Sequence, residues 1–376
     1  MTGVPREALR LPMAIAVAAF AIAGVAGGAL GVAWPNMRAT LHLPLAALGL
    51  LILTSSIAGT LSSAATGPLA ARFGLPKTLG VAACGMAAGF LIAATAVSLP
   101  DLIAAWVVLG ASYGPLDAGL QVEVSLHRGV RSMGGLHAAW AAGATFGPGL
   151  VVLTSERTGS WRPVYVLLAC TYVVLSALIV VTRQRWPLRG PDSHQVPPPP
   201  SLNMGAGALI NMFSAGLEGS AGQWSYSVLL GLGIAANTAR VSVSLYWAGL
   251  FLGRGALAFF GRQVTTWLDI TVVAVVVSAV ITWVWPTALP LLGLSLAALA
   301  PLVMAATPQR VGAARTSHVI GYQTAAGGIG SILLPSGLGL LLQSAGLALF
   351  GPSLVAFASG IAIVHALTRS QRTLTR

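Results

Sequence analysis

Residues 183–201 read RQRWPLRGPDSHQVPPPPS and interrupt the chain almost at its midpoint. Four consecutive prolines and a cluster of arginines do not fit inside a bilayer-spanning helix. The stretch is therefore expected to be a polar tether, extended over its proline-rich part at 196–202. On either side the sequence is almost continuously apolar. Each flank has room for six runs of roughly 20 residues, the length that crosses a bilayer core, and for little else. The chain divides into 1–184, a linker at 185–203, and 204–376.

Composition agrees with this. Hydrophobic residues make up 56% of the chain and charged residues 7%, with a mean hydropathy of +0.84. A soluble domain carries about 25% charged residues, so no sizeable water-facing domain is expected. The net charge of +12 would suggest nucleic acid in a soluble protein. Here the basic residues fall in short loops, which makes them a topology signal and not a nucleic-acid footprint. Cys84 and Cys170 both lie in apolar runs, and no CxxC or HExxH spacing occurs, so neither a disulfide nor a metal site is expected.

The expected spans are 11–34, 44–69, 77–97, 101–123, 136–153 and 161–182, then 204–232, 237–261, 267–285, 287–306, 318–343 and 347–367. The run from 267 to 306 is too long for one helix, and Pro286 and Pro290 break it. Fifteen of the twenty Lys and Arg residues fall in alternate gaps, in the tails or in the linker. This predicts that both termini and the linker are cytoplasmic. Trp34, Trp161, Trp283 and Trp285 are then expected at the outer membrane interface, with Trp186 and Trp267 at the inner one. The halves also echo each other: Gly59 and Gly67 are spaced like Gly253 and Gly261, and Gly143 and Pro148 like Gly330 and Pro335. Two such matches at nearly one offset point to a duplicated bundle.

From Gly67 the sequence runs GPLAARFGLPKTL. This resembles the signature between helices two and three of the major facilitator superfamily, roughly G-x-L-a-D-r-x-G-r-k. Gly67, Leu69, Arg72, Gly74 and Lys77 match, while Ala71 stands where the family has Asp, which weakens the family's latch at this loop. GASYGPLDAGLQ at 110–121 is similar to the family's G-x-x-x-G-x-x-D-x-x-x-N, with Gln121 at the Asn position. LHAAWAAGATFGPG at 136–149, GLEGSAGQW at 216–224 and GLFLGRGALAFFG at 249–261 look like the fucose-permease-like branch. The resemblance implies an all-α membrane protein of twelve transmembrane helices in two pseudo-symmetric six-helix bundles. It also implies a monomeric transporter of a small solute, multi-pass in the cell's inner membrane.

No nucleotide fingerprint or catalytic triad pattern occurs, so no enzyme and no cofactor is expected, and uphill transport must draw on an ion gradient. Ionisable residues inside spans then become the candidates, because burying charge in lipid is costly. Asp117 lies roughly 24 Å into span four at 1.5 Å per residue. Gly110, Gly114, Asp117 and Gln121 share its stripe. Asp117 is read as a protonatable or substrate-contacting acid, or as a structural acid bonded to a neighbouring helix or to the cytoplasmic gate. Glu218 in span seven and Arg254 in span eight each sit roughly 21 Å deep by the same rise and could pair. His137 could relay protons or simply cap a helix start, and Glu123 is expected to be a solvated loop acid near Arg128 or Arg131. Trp140, Trp224, Tyr226, Trp247 and Tyr322 lie inside spans, where an aromatic face suits a sugar or a drug-like ring. Trp224 beside Gln223, then Tyr322 with Gln323, are the leading candidates among them. Asp117 and Glu218 are expected to face one cavity, with a proton as the coupling ion and a sugar-like solute as the cargo. Efflux of a drug or metabolite is the alternative, and a non-transporting membrane sensor a further one.

Overall fold

The computed structural model describes residues 10–186, 202–260, 264–307 and 316–374, and these hold twelve α-helices. They are α1 Arg10–Thr40, α2 Ala47–Phe73, α3 Leu75–Thr95, α4 Leu99–Thr158, α5 Arg162–Val181 and α6 Leu202–Gly231. Then come α7 Ala236–Phe260, α8 Val264–Val284, α9 Leu289–Leu296, α10 Leu299–Ala305, α11 Thr316–Ala345 and α12 Phe350–Leu374. By contacts the chain divides into two compact units, Met1–Ser193 and His194–Arg376. Most of the expected linker, 187–201, lies outside the described residues.

Helix number and span number coincide at twelve, but not one for one. Spans four and five are a single run of helix, α4, of 60 residues. A straight helix of that length would reach about 90 Å, three bilayer cores. Yet both its ends lie at one end of the first unit. Arg162, just beyond its C-terminus, donates from Nη1 to the carbonyls of Ala94 (2.9 Å) and Ala96 (2.8 Å), which precede its N-terminus. α4 therefore doubles back between its two apolar stretches, Leu99–Val124 and Gly134–Thr158. Its start is fixed by a capping box, in which the Ser98 hydroxyl accepts from the Asp101 amide and Asp101 accepts from the Ser98 amide. Its end is Gly159 in the left-handed region, φ +68°.

Span ten departs in the opposite sense. It is two short helices, α9 and α10, separated at 297–298. Pro301 explains the break, since it has no N–H for the carbonyl of Ala297 in a continuous helix. The expected division between spans nine and ten is present as a 3-10 turn at Pro286–Ala288.

Among the described residues, ten segments are long and apolar enough to cross a membrane. α6 and α7, which occupy the positions of spans seven and eight, have the length but are not among the ten.

In the first unit α1 packs on the second half of α4, α2 on its first half, and α3 on α4 and α5. In the second unit α6 packs on α11, α7 on α9, and α8 on α12, α9 and α10. Small residues let backbones touch at these crossings. A Cβ on Gly143 would fall on the carbonyl of Ala21, and one on Gly24 or Gly28 on the carbonyl of Trp140 or Ala144. In the second unit a Cβ on Gly330 would fall on the carbonyl of Met212, and one on Gly293 on that of Tyr246. At the α3–α5 crossing the Ser176 hydroxyl donates to the Gly80 carbonyl at 2.8 Å.

Three of the expected interface tryptophans are buried instead. Trp34 and Trp161 are fully buried, and Trp161 sits edge-on to Tyr165 within a cluster that also holds Phe90, Trp106 and Tyr172. Packing against other rings outweighs the interfacial preference there. Trp186 is buried too, its indole N–H on the Thr182 hydroxyl at 3.2 Å. Trp283 and Trp285 are exposed, as an interfacial place requires. Glu123, expected in a solvated loop, is a buried residue of α4, because helix continues through the segment that was read as a loop. The side chains of Arg128 and Arg131 lie outside the described ones.

Candidate functional site

Charge is held inside the second unit by α6 and α7. Arg254 on α7 donates from Nη2 to both carboxylate oxygens of Glu218 on α6, at 3.0 and 2.9 Å. The two side chains are 18% and 20% exposed, so the pair is half-buried. The Tyr246 hydroxyl donates to the Glu218 backbone carbonyl at 2.9 Å and so ties α7 to α6 at this level. Both members thus sit well inside their helices. An ion pair on packed helices requires a partner at the right depth on each, and residues 218 and 254 supply it.

The first unit holds its acid differently. Asp117 on α4 accepts from the Gln121 side-chain amide at 2.8 Å and from the Tyr113 hydroxyl at 3.3 Å. All three are one turn apart on the same helix. The alternative of a bond to a neighbouring helix is not what the described residues show: both hydrogen-bond donors to Asp117 are its own neighbours, and both are neutral.

The remaining candidates separate into packed and exposed residues. Trp224 is fully buried; its indole N–H donates to the Pro335 carbonyl on α11 at 2.8 Å, and its ring lies where a Cβ on Gly339 would be. Gln323 is equally buried: its amide donates to the Thr307 hydroxyl at 3.0 Å, and its backbone carbonyl accepts from Asn211 of α6 at 3.0 Å. Trp140 lies against Gly27 of α1, while Trp247 is buried edge-on to Tyr246. Tyr226 is buried as well. Gln223 is half-buried, one residue from Trp224. His137 is exposed on α4 with its ring edge-on to Phe20 at 6.0 Å, and Tyr322 is 42% exposed. Gln323 and Trp224 therefore bind helices together, whereas Tyr322 and His137 present a surface.

The Gly67 stretch forms the end of α2 and the start of α3. Gly74 joins them at φ +86°, a conformation open to glycine and strained for other residues. Arg72 and Lys77 flank it, both exposed, and the Arg72 guanidinium lies over the Phe73 ring at 5.2 Å. A Cβ on Gly67 would meet nothing within 4 Å.

The family profile described as Major Facilitator Superfamily matches residues 16–335, most of the chain. The chain belongs to the major facilitator superfamily. Solved structures of similar fold include a point mutant of the nucleoside transporter NupG, at 14% identity and TM-score 0.73, covering 96% of this chain and 99% of that one. A bacterial homolog of the human lysosomal transporter Spinster, in an inward-facing and occupied conformation, matches at 14% identity and TM-score 0.71 over 97% and 96%. Its unoccupied form matches at 13% identity with the same TM-score. No curated protein matches the sequence. The superfamily likeness extends over the whole fold, while none of these findings singles out the fucose-permease-like branch.

Within this superfamily fold the second unit also carries a charged cluster, on α8 and α12. Asp269 on α8 meets His365 Nε2 at 2.7 Å through Oδ1, and Arg369 Nη1 at 3.0 Å through Oδ2. The signal was present: an acid inside an apolar run, and His365 and Arg369 one turn apart on α12.

Proposed function

We propose that this chain is a proton-coupled secondary transporter that moves a small polar, sugar-like solute by alternating access. The observation that supports this is the half-buried Glu218–Arg254 pair, which sets opposite charges well inside α6 and α7. Charges at such depth are costly to keep and mark pathways for substrates or ions. Asp117 is the acid of the first unit in this reading, and Glu218 that of the second. Protonating Glu218 would free Arg254 for a solute oxygen. Tyr322 and Gln223 are the proposed substrate neighbours, while Trp224 and Gln323 hold the helices that carry them. The proposed setting is the inner membrane, with the protein acting as a monomer and both termini cytoplasmic.

The test is transport in proteoliposomes under an imposed pH gradient, with a panel of sugars, nucleosides and cationic amphiphiles. Glu218→Gln is expected to abolish gradient-driven accumulation and leave counterflow exchange intact. If it impairs neither, the assignment fails. The sign of flux separates import from the second reading, efflux of a cationic amphipathic solute. That reading draws on Asp117, an acid held by two neutral donors and so able to meet a cation. A sensor without transport, for which Ala71 in the loop motif is the hint, predicts no substrate-dependent thermal shift anywhere in the panel.

A further inference from the structure

Four basic side chains collect at one end of the first unit, and the proposed transport route uses none of them. Arg72 and Lys77 flank the Gly74 turn between α2 and α3, and Arg183 and Arg185 lie in the 3-10 turn that follows α5. The packing of α3 on α5 brings these two turns to one level. Arg162 at the start of α5 reaches the carbonyls of Ala94 and Ala96 at the end of α3, and Ser176 meets Gly80 near its start. A Cβ on Gly80 would touch Val180 at 3.0 Å. Lys77 lies three residues before Gly80 and Arg183 three beyond Val180, so both step off the crossing toward the same end.

Local structure fixes both turns. Gly74 at φ +86° keeps the passage from α2 to α3 tight. Trp186, buried with its indole N–H on the Thr182 hydroxyl, anchors the 3-10 turn against the unit. All four basic side chains are exposed, and among the described residues none of them forms an ion pair. Asp101 and Glu156 lie near the start and the end of α4, at the opposite end of the unit. Glu123 lies nearer but is buried. Apolar surface continues directly from the charge. Lys77 heads an exposed stripe of α3 that includes Val81 and Leu91, and α5 exposes Val174, Leu178 and Val181 just before its arginines.

We propose that this end of the first unit is a binding site for an anionic phospholipid. Its phosphate takes Lys77 and Arg183, and its acyl chains lie along the exposed faces of α3 and α5. Lysine and arginine form charge-assisted hydrogen bonds to phosphate, and basic clusters beside membrane helices attract anionic headgroups. A topology signal requires only that the charges stay on one side; it needs neither the fixed turns nor the adjoining apolar stripes. A soluble anion would use the charge and leave the stripes unused. A partner anionic at one end and apolar along the rest matches both, and the surrounding bilayer supplies it. The headgroup bridges the two turns, so its binding stabilises the folded unit by mass action. The inference does not depend on the solute, nor on the roles proposed for Asp117 and Glu218.

The test uses the full chain in non-ionic detergent micelles and reads the thermal unfolding midpoint. The additions are phosphatidylglycerol, phosphatidylcholine of the same acyl chains, and soluble glycerol 3-phosphate. Phosphatidylglycerol is expected to raise the midpoint at lower concentration than phosphatidylcholine, and glycerol 3-phosphate to leave it unchanged. In Lys77→Gln with Arg183→Gln the half-saturating amount of phosphatidylglycerol is expected to rise about 25-fold, or about fivefold per charge. Arg38→Gln with Arg157→Gln, in the last turns of α1 and α4 at the opposite end, is expected to keep the parent value, as is the charge-retaining Lys77→Arg with Arg183→Lys. An equal response to the two lipids overturns the proposal, as does equal weakening at the two ends. A matching response to glycerol 3-phosphate shows a site for a free anion and overturns the lipid. Should the double glutamine variant fail to fold, salt gives the answer on the native protein. About 0.5 M salt is expected to abolish the preference for phosphatidylglycerol, and a preference that survives it overturns the site.

Discussion

The two units are built alike where helices cross and differently where charge is buried. Gly143 on the Ala21 carbonyl and Gly330 on the Met212 carbonyl are the same contact in the α1–α4 and α6–α11 crossings. At the α3–α5 crossing a neutral hydroxyl, Ser176 on Gly80, joins the helices. The matching α8–α12 crossing has His365 on Asp269, each shifted along the chain by the same amount. The main acids differ too: neutral neighbours on its own helix hold Asp117, and a cation on another helix holds Glu218. Backbone approach is a property of the fold, whereas buried charge was added unit by unit. Duplicated architecture therefore does not imply duplicated chemistry.

The shared half of this comparison breaks most severely at glycine. Gly143→Leu and Gly330→Leu should each abolish recoverable folded protein, judged by monodisperse elution in detergent, because backbone cannot yield to the new side chain. Gly67→Ala, with open space around it, should elute like the parent. If Gly330→Leu folds normally, the crossings are not equivalent. The difference between the acids comes next. Arg254→Ala leaves Glu218 without its cation and should destabilise by about 3–5 kcal/mol, whereas Arg254→Met with Glu218→Gln should recover most of that. A double variant no better than the single one would mean the pair is not the source of the loss. Trp224→Phe removes the donor to the Pro335 carbonyl and should cost about 1–3 kcal/mol, read as a lower unfolding midpoint without loss of transport. The smallest effect belongs to Asp117. Tyr113→Phe takes away one neutral hydrogen bond and should cost about 1 kcal/mol; a loss as large as that of Arg254→Ala would show Asp117 to be as dependent on its partners as Glu218.

Much of the fold was legible because membrane crossing imposes one strong rule, a long apolar run. That rule located the segments that became α1–α3, α5–α8, α11 and α12. It could not say that helix continues through Glu123 and beyond, since helical hydrogen bonding is indifferent to whether a segment lies in lipid or in a turn. Pro286 and Pro290 were read as breaks, but Pro301 was passed over, and it splits span ten. Depth placed Glu218 and Arg254 at one level, yet only three dimensions bring the guanidinium to the carboxylate. Trp34 and Trp161 looked interfacial because a position near a helix end says nothing about which face of the helix is covered. Asp269 and His365 escaped notice because they lie 96 residues apart and neither belongs to a family motif.

The glycine crossing of α1 also has a consequence for synthesis. Gly24 and Gly28 leave the ribosome long before Trp140 and Ala144, the residues whose carbonyls they touch. At 5–20 residues per second, a gap of roughly 120 residues takes on the order of ten seconds. For that time α1 stands in the bilayer with a bare strip of backbone turned toward lipid, and any other helix with a small-residue stripe could occupy it. The order of emergence makes α1 the helix of the first unit with the longest wait for its principal partner, and so the one most exposed to a wrong match during assembly.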